Sequence, residues 1–255
     1  MPLDRPYVCL STAATVDGYI DDTGDRTLVI SNVTDLRRAD GLRASCDAVM
    51  IGAGTLRRDN PSLLVRSPEL VAARVAAGLS EQPAKVVLTA SGQVDVNGRF
   101  FTEGDNVKLV YCPSDKEQLV AAKIGAAARS FGAGNPLDLQ YVLGSLRRQG
   151  VERLLVEGGG HLQTQLLVNG LVDEIQLAIA PFFLGNPAAP RFARAGTYPQ
   201  NSLRPMRLAE VLQIDDMAVL RYVILSPGHP DSGEARGRRG DIQAATSLQP
   251  PPVTQ

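Results

Sequence analysis

The sequence is poor in the residues that form several common kinds of site. It has no tryptophan, two histidines and three cysteines among 255 residues. Because His161 and His229 are the only histidines, a zinc site built on histidines is not expected, and we predict no metal. Cys9, Cys46 and Cys112 are odd in number and far apart, which argues against a disulfide framework and favours reduced thiols in a cytoplasmic protein.

A strong charge of one sign and a long hydrophobic run are also missing. The 26 basic and 27 acidic residues leave a net charge of -1, so the sequence shows no electrostatic surface for nucleic acid or for an anionic membrane. No apolar stretch is long enough to cross a bilayer, and residues 1–6 lack the features of a signal peptide. We therefore expect a small-molecule ligand and neither a nucleic-acid nor a membrane partner.

Strand-like and helix-like segments alternate along most of the chain. Two apolar segments near the end, residues 208–214 and 218–225, are separated by two aspartates and predict a hairpin. This order predicts an α/β fold with a mostly parallel central sheet, flanked by helices and closed by a C-terminal antiparallel hairpin. We predict one domain over residues 1–225. Residues 226–255 are rich in Pro, Gly, Arg and Ser, and are predicted to be a disordered tail.

A glycine-rich turn is the most informative local pattern. A short apolar strand over residues 153–157 ends in Glu157, three glycines follow, and a helix is expected over about 161–169. Glycines allow a ligand to approach the backbone closely, and the free N–H groups of a helix start attract anions. The pattern suits a phosphate, yet an ordinary strand-to-helix turn explains it equally well. Residues 52–55 predict a second glycine-bearing turn.

Five stretches, taken together, resemble one family. They are Ala14 to Gly18, Leu42 to Ala44, Gly54-Thr55 with Asp59 to Pro61, Glu157 to Gly160, and residues 171–174 with 179–181. In this order and spacing they are similar to the reductase domain of riboflavin biosynthesis, which has a dihydrofolate-reductase-like fold. The resemblance runs from about residue 7 to residue 225, and the chain is expected to be the stand-alone form without a deaminase domain.

The resemblance implies an activity, a cofactor and a set of contacts. The family uses NADPH to reduce the ribose of a ribosylamino-pyrimidine 5′-phosphate to a ribityl chain. The positions that resemble its cofactor contacts are Ala14, Val29, Thr55, Asp59, Gly159, Gly160, His161 and Leu162. Those that resemble its substrate contacts are Thr27, Arg43, Leu63, Arg66 and Glu157. Two arginines suit a phosphate, because a guanidinium pairs well with phosphate oxygens.

Asp59 and Glu157 are the predicted catalytic carboxylates. Hydride attack on the opened ribosylamine requires alignment of the two reacting carbons and protonation of nitrogen or the ring oxygen, for which Asp59 is the candidate donor. Other interpretations stay open: Arg43 and Arg66 as surface charges, and Asp59 as a residue that shapes the turn before Pro61. At position 29, where some relatives have an aromatic residue near the nicotinamide, this sequence has Val29. This departure from the family pattern bears on how the cofactor is positioned.

The resemblance leaves the substrate and the assembly open. The substrate is either the uracil form, 5-amino-6-(5-phosphoribosylamino)uracil, or the undeaminated 2,5-diamino-6-ribosylamino-pyrimidinone 5′-phosphate. A further alternative is another pterin-like substrate, and a nucleotide-binding protein without catalysis is the alternative from a different class. These reductases are usually homodimers, which implies a homodimer here. Residues 175–183 are apolar and predict either an interface or plain core.

Overall fold

The computed structural model describes residues 4–24 and 27–224. Nine strands form in these ranges: β1 (Tyr7–Thr15), β2 (Ala48–Gly52), β3 (Ala84–Leu88), β4 (Lys108–Cys112), β5 (Arg129–Gly132), β6 (Arg153–Glu157), β7 (Glu174–Ala180), β8 (Arg207–Ile214) and β9 (Met217–Val223). The α-helices are α1 (Val33–Ala44), α2 (Ala53–Asp59), α3 (Pro68–Ala76), α4 (Arg99–Thr102), α5 (Glu117–Ile124), α6 (Leu139–Arg148) and α7 (Gly160–Val168).

All nine described strands join one sheet in the order β5-β4-β3-β2-β6-β1-β7-β9-β8. Strands β1 to β7 pair in parallel, whereas β9 pairs antiparallel with both β7 and β8. The predicted α/β class, with a mostly parallel sheet and a closing hairpin, is confirmed. Strand β7 lies inside the sheet and Ile175 is 3% exposed, so this segment is core.

The central strands form because their side chains are apolar on both faces. In β1, Val8 and Leu10 pack into one cluster, and Cys9 packs into another on the opposite face. Near-continuous apolar runs are typical of parallel strands that helices cover on both sides. In the sequence, Asn32 and Thr34 are the two candidate caps for a helix through about Ala44. Asn32 caps α1, because its side chain accepts a hydrogen bond from the backbone N–H of Asp35 at 2.8 Å.

Two local predictions need correction, and one strand was not predicted. The second glycine turn, expected over residues 52–55, does not form, because β2 ends at Gly52 and α2 begins at the next residue. The sequence also predicts that Ser114 caps a helix through about Ile124. Instead, Ser114 begins a 3-10 turn before α5, and its hydroxyl accepts a hydrogen bond from the backbone N–H of Gly134. Strand β5 was not predicted, because it has only four residues, Phe131 is its one large apolar residue, and none of the four is fully buried.

The Ala-rich segment after residue 66 fixes the C-terminal end of α1. Arg74 on α3 is 1% exposed and donates to the carbonyls of Ala44 and Cys46, both at 2.7 Å. These carbonyls lack partners within the helix, so a buried guanidinium is an effective cap for them. Asp40 in turn accepts from the backbone N–H groups of Arg66 and Ser67 at 2.9 Å. The last turn of α1 is therefore held from two sides.

The predicted tail, residues 226–255, lies outside the described residues, so the boundary at residue 225 stays a prediction. Among the helices of the described ranges, none combines the length and the apolar composition needed to span a membrane. The described residues also contain no group of three or more His, Cys, Asp or Glu side chains that could hold a metal ion.

Candidate active site

A cleft of about 350 Å³ opens at the carboxyl-terminal parts of β1, β2 and β6. This edge of an open α/β sheet is where ligands commonly bind. Helix α1 and the segment 27–31 supply much of its wall. Its charged and hydroxyl-bearing lining residues are Ser11, Thr12, Thr27, Ser31, Asp35, Arg38, Arg43, Thr55, Asp59 and Glu157.

The cleft brings together many of the residues predicted as site residues. Those that line it are Thr27, Val29, Arg43, Thr55, Asp59, Leu63 and Glu157. The predicted residues outside its lining are Ala14, Arg66, Gly159, Gly160, His161 and Leu162. Ala14 is buried in β1, and the last four form the start of α7 next to Gly158, which does line the cleft. Arg66 is exposed, with its backbone held by Asp40.

A row of polar side chains crosses the sheet beneath α1. Ser11 of β1 is in register with Glu157 of β6 on one side and with Gln176 of β7 on the other. Neighbouring strands lie about 4.8 Å apart, so the two ends of this row are about 10 Å apart. Two arginines of α1 engage the ends: Arg43 contacts Glu157, and Arg38 contacts Gln176. The row forms a polar floor long enough for a heterocyclic ring.

Arg43 and Glu157 form a bidentate ion pair. Arg43 donates from Nη2 to Oε2 of Glu157 at 2.6 Å and from Nε to Oε1 at 2.8 Å, and its Nη1 lies 3.3 Å from the carbonyl oxygen of Leu64. Burial alone would lower the pKa of Arg43, but the charge of Glu157 outweighs it and raises that pKa. Two residues predicted separately as substrate contacts are thus one charged unit.

The chain before Leu64 adopts an unusual backbone conformation. Leu63 has φ of 55°, in the left-handed region that residues with a Cβ rarely occupy. It is only 2% exposed, so its packing in the core compensates for the strain. The next residue, Leu64, presents its carbonyl to Arg43. The strained backbone at Leu63 therefore lies beside the Arg43–Glu157 pair. Strained backbone is often found at functional sites.

Asp59, the last residue of α2, directs its carboxylate towards the segment 27–31. Thr27 donates from Oγ1 to Oδ1 of Asp59 at 2.9 Å. Burial raises the pKa of Asp59 and the nearby Asp21 adds to the rise, while the hydrogen bond from Thr27 opposes it. The turn before Pro61 is made instead by Asn60, which has φ of 44° and accepts from the backbone N–H of Arg99. The carboxyl group of Asp59 thus contacts Thr27 at the lining of the cleft and does not form that turn.

The glycine turn has a backbone that only glycine adopts readily. Gly158 and Gly159 have φ of 84° and 89°, and a Cβ on Gly158 would lie 3.1 Å from the side chain of Thr55. A Cβ on Gly160 would lie 2.8 Å from the carbonyl oxygen of Arg191. Helix α7 starts at Gly160 without a side-chain cap, which leaves its first N–H groups to other acceptors. The turn fits a phosphate.

Asp17 fixes the loop that leads into the cleft. Its carboxylate accepts from the Thr15 hydroxyl at 2.6 Å and from the backbone N–H groups of Leu184 and Gly185 at 3.1 and 2.8 Å. Partial burial opposes ionisation, but these hydrogen bonds outweigh it and lower the pKa of Asp17 to about 2. Asp17 therefore shapes the turn that it forms with Gly18.

The chain matches the family described as the RibD C-terminal domain over residues 6–220. It belongs to the RibD C-terminal domain family. By family, the chain is a reductase of riboflavin biosynthesis. The resemblance inferred from five short stretches is confirmed, as is the expected enzyme class.

Three similar proteins place the chain within the RibD C-terminal domain family. The 2,5-diamino-6-ribosylamino-4(3H)-pyrimidinone 5′-phosphate reductase of Archaeoglobus fulgidus is 38% identical over 73% of this chain and 85% of its own length. The protein of the same name from Methanothermobacter thermautotrophicus is 34% identical over 71% of this chain and 80% of its own length. A Thermotoga maritima structure, a diaminohydroxyphosphoribosylaminopyrimidine deaminase/5-amino-6-(5-phosphoribosylamino)uracil reductase, shares the fold with a TM-score of 0.68 at 22% identity. That match covers 87% of this chain and 57% of the solved chain, so this chain spans little more than half of that protein.

The sequence-based prediction of the RibD-type site missed one part of the cleft. Ser11, Asp35 and Arg38 line it, although none belongs to the predicted set. Arg38 donates from Nε to Oδ1 of Asp35 at 2.8 Å and from Nη1 to Oε1 of Gln176 at 2.7 Å. The only signal in the sequence is an Asp and an Arg three residues apart on a predicted helix, which is a common surface pattern.

Proposed function

We propose that the chain reduces a ribosylamino-pyrimidine 5′-phosphate with NADPH. The observation that carries this proposal is the arrangement of the cleft: Arg43–Glu157 and Asp59 lie beside the glycine turn that begins α7. Polar groups for a sugar and a base thus adjoin a turn that suits the pyrophosphate of a dinucleotide. The nicotinamide, when bound, supplies a hydride to the former anomeric carbon of the substrate.

The chain's own residues would orient the two reactants and exclude water from them. Thr55 and Gly158 border the cleft where the turn approaches it, which supports our proposal that the dinucleotide binds at that end. Arg43 fixes the carboxylate of Glu157, so that Glu157 accepts from a ribose hydroxyl or from the base in one orientation. The 5′-phosphate would lie near Arg43 and the exposed Arg66, which follows Leu64 by two residues. Such fixed positioning supplies much of the rate enhancement in reactions between two bound reactants.

Two substrates are candidates, and they differ in one group on the base. The names of the 38% and 34% identical relatives favour the undeaminated 2,5-diamino form. The uracil form is the second candidate, because the Thermotoga maritima protein, which shares the fold, is named as a uracil-form reductase. Both substrates carry the same ribose phosphate, so the positions proposed for Arg43, Arg66 and Glu157 suit either substrate.

The deciding experiment follows the loss of reduced nicotinamide absorbance with each pyrimidine, prepared enzymatically, and with dihydrofolate as a control substrate. We expect turnover of a ribosylamino-pyrimidine phosphate and none of dihydrofolate, with NADPH preferred over NADH. Binding of NADPH without turnover of either pyrimidine would overturn the proposal and favour a nucleotide-binding protein without this activity. Turnover of dihydrofolate alone would assign a pterin-like substrate instead.

Asp59 is proposed as the proton donor, and its raised pKa predicts the pH dependence. Since the protonated form is needed, kcat/KM should fall as the pH rises through the raised pKa of Asp59. Asp59→Asn should lower kcat/KM about 100-fold and flatten this part of the profile. Thr27→Val removes a hydrogen bond that lowers the pKa, so the fall should move to higher pH. An unchanged profile in Asp59→Asn would remove the proton-donor role.

We also propose a homodimer that forms through β8. In the described part of the chain β8 is an edge strand, and three of its apolar side chains are largely exposed: Leu208 by 49%, Val211 by 59% and Leu212 by 40%. Exposed apolar edge strands tend to pair with another chain. Light scattering after gel filtration should give a dimer for the wild type and a monomer for Val211→Glu. A monomeric wild type at micromolar concentration would contradict the proposal.

A further inference from the structure

One part of the cleft is built from a buried carboxylate and a guanidinium on α1. The side chains of Asp35 and Arg38 are 3% and 12% exposed, and they are joined by the Nε to Oδ1 hydrogen bond at 2.8 Å. Both residues line the cleft. Among the described residues, neither Oδ2 of Asp35 nor Nη2 of Arg38 has a hydrogen-bond partner. The pair therefore offers one acceptor and one donor to a ligand.

The Asp35–Arg38 pair is held in place by side chains of the sheet beneath α1. Arg38 donates from Nη1 to Gln176, whose Nε2 donates to Oε1 of the fully buried Glu174 at 2.7 Å. Glu174 is fixed by Arg221, with Nε 3.1 Å from Oε1. A guanidinium anchored through such a network keeps its free donor in one direction, which is what discrimination between similar ligands requires.

The position of the pair assigns it to the base of the substrate, given the proposed function. The Arg43–Glu157 pair lies at one end of the polar row and Arg38–Gln176 at the other, with Ser11 between them. If the ribose phosphate lies near Arg43, the base attached to the former anomeric carbon extends along the row. It then reaches the Asp35–Arg38 pair.

We propose that Asp35 and Arg38 recognise the pyrimidine edge and select the undeaminated substrate. The diamino-pyrimidinone presents a 4-oxo acceptor, an N3–H donor and a 2-amino donor in sequence. Arg38 Nη2 donates to the 4-oxo oxygen, and Oδ2 of Asp35 accepts from the 2-amino group. The uracil form places an oxo oxygen at C2, where it faces the carboxylate without a proton between them. A site built to accept from an N–H group rejects an analogue that lacks it.

The test compares kcat/KM for the two pyrimidine phosphates, which share ribose, phosphate and cofactor. The wild type should prefer the 2-amino substrate. Asp35→Asn keeps the shape and offers an amide N–H to a 2-oxo group, so the preference should move towards the uracil form by about 10- to 100-fold. Arg38→Gln should lower kcat/KM for both substrates by a similar factor, since both carry the 4-oxo group. This difference between the two variants would not arise from a general loss of structure.

Asp40→Asn is the matched control, because Asp40 is a buried carboxylate on the same helix that accepts only backbone N–H groups in the described structure. It should leave the substrate ratio unchanged. A wild-type preference for the uracil form, or an unchanged ratio in Asp35→Asn, would overturn the proposal. If Asp35→Asn is too unstable to assay, a ratio altered by Arg38→Gln would overturn it too. Absence of turnover with either pyrimidine is a different outcome, since it refutes the proposed function itself.

Discussion

Replacing Glu174 with Gln is expected to lower the free energy of unfolding by about 3–5 kcal/mol. Glu174 is fully buried and accepts from Arg221 Nη2 at 3.1 Å, Tyr7 Oη at 3.0 Å and Gln176 Nε2 at 2.7 Å, and Arg153 lies 3.6 Å away. Without the carboxylate, the two arginines would be left with uncompensated positive charge in a poorly solvated region. The loss therefore exceeds what one hydrogen bond contributes.

Urea denaturation followed by circular dichroism measures this loss. The matched control is Glu103→Gln, which breaks the exposed ion pair between Glu103 and Arg99, and it should change the midpoint little. A Glu174→Gln variant as stable as this control would show that the buried arginines find other partners. It would also contradict the view that Glu174 organises the face of the sheet under α1.

The same residue predicts how stability depends on pH. Burial alone would raise the pKa of Glu174, but Arg221 and Arg153 outweigh it and lower that pKa to about 2, from an ordinary value of 4.5. A lowered pKa in the folded state means that this stabilisation is present above about pH 4.5 and is lost as the pH falls towards 2. In Glu174→Gln this contribution to acid destabilisation should be absent, which acid titrations of the two proteins would test.

The fold class could be predicted from the sequence because its signals are local and repeated. Apolar runs bounded by turn residues identified strands such as β2 and β6, and the Asn32 cap identified the start of α1. Among the missed elements, α4 and β5 have four residues each and are too short to show a period. The turn expected after Gly52 failed because the glycines there sit at the start of a helix rather than in a loop.

The site was only partly predictable, because its organisation depends on which strands become neighbours. Arg43 and Glu157 could each be predicted from a motif, but their pairing joins residues 114 positions apart. Ser11 and Gln176 became site neighbours only because β1 and β7 are adjacent in the sheet. Arg38 resembled a surface arginine, since nothing local distinguishes it from its exposed neighbour Arg37.

Replacing Arg43 with Met is expected to reduce kcat/KM about 200- to 5,000-fold with the preferred pyrimidine. The change leaves Glu157 as an unpaired carboxylate in the cleft. An uncompensated, partly buried charge costs about 3–5 kcal/mol. If this cost opposes substrate binding, it corresponds to a loss in kcat/KM of this size. Part of the cost will appear in stability, because the side chains of both residues are less than one-fifth exposed. Arg37→Met is the matched control, since Arg37 lies on the same helix and is exposed.

The double variant Arg43→Met/Glu157→Gln decides how the two residues act. If they act as one unit, removing both should be little worse than removing either, and the coupling energy should be close to the loss from a single replacement, about 3–5 kcal/mol. If each instead contacts the substrate independently, the two losses in kcat/KM should multiply. Steady-state kinetics of the four proteins, with thermal unfolding and NADPH affinity measured on each, separate these cases. Multiplying losses at unchanged stability would show that substrate binding breaks the ion pair seen here, so that Arg43 is free to bind the phosphate.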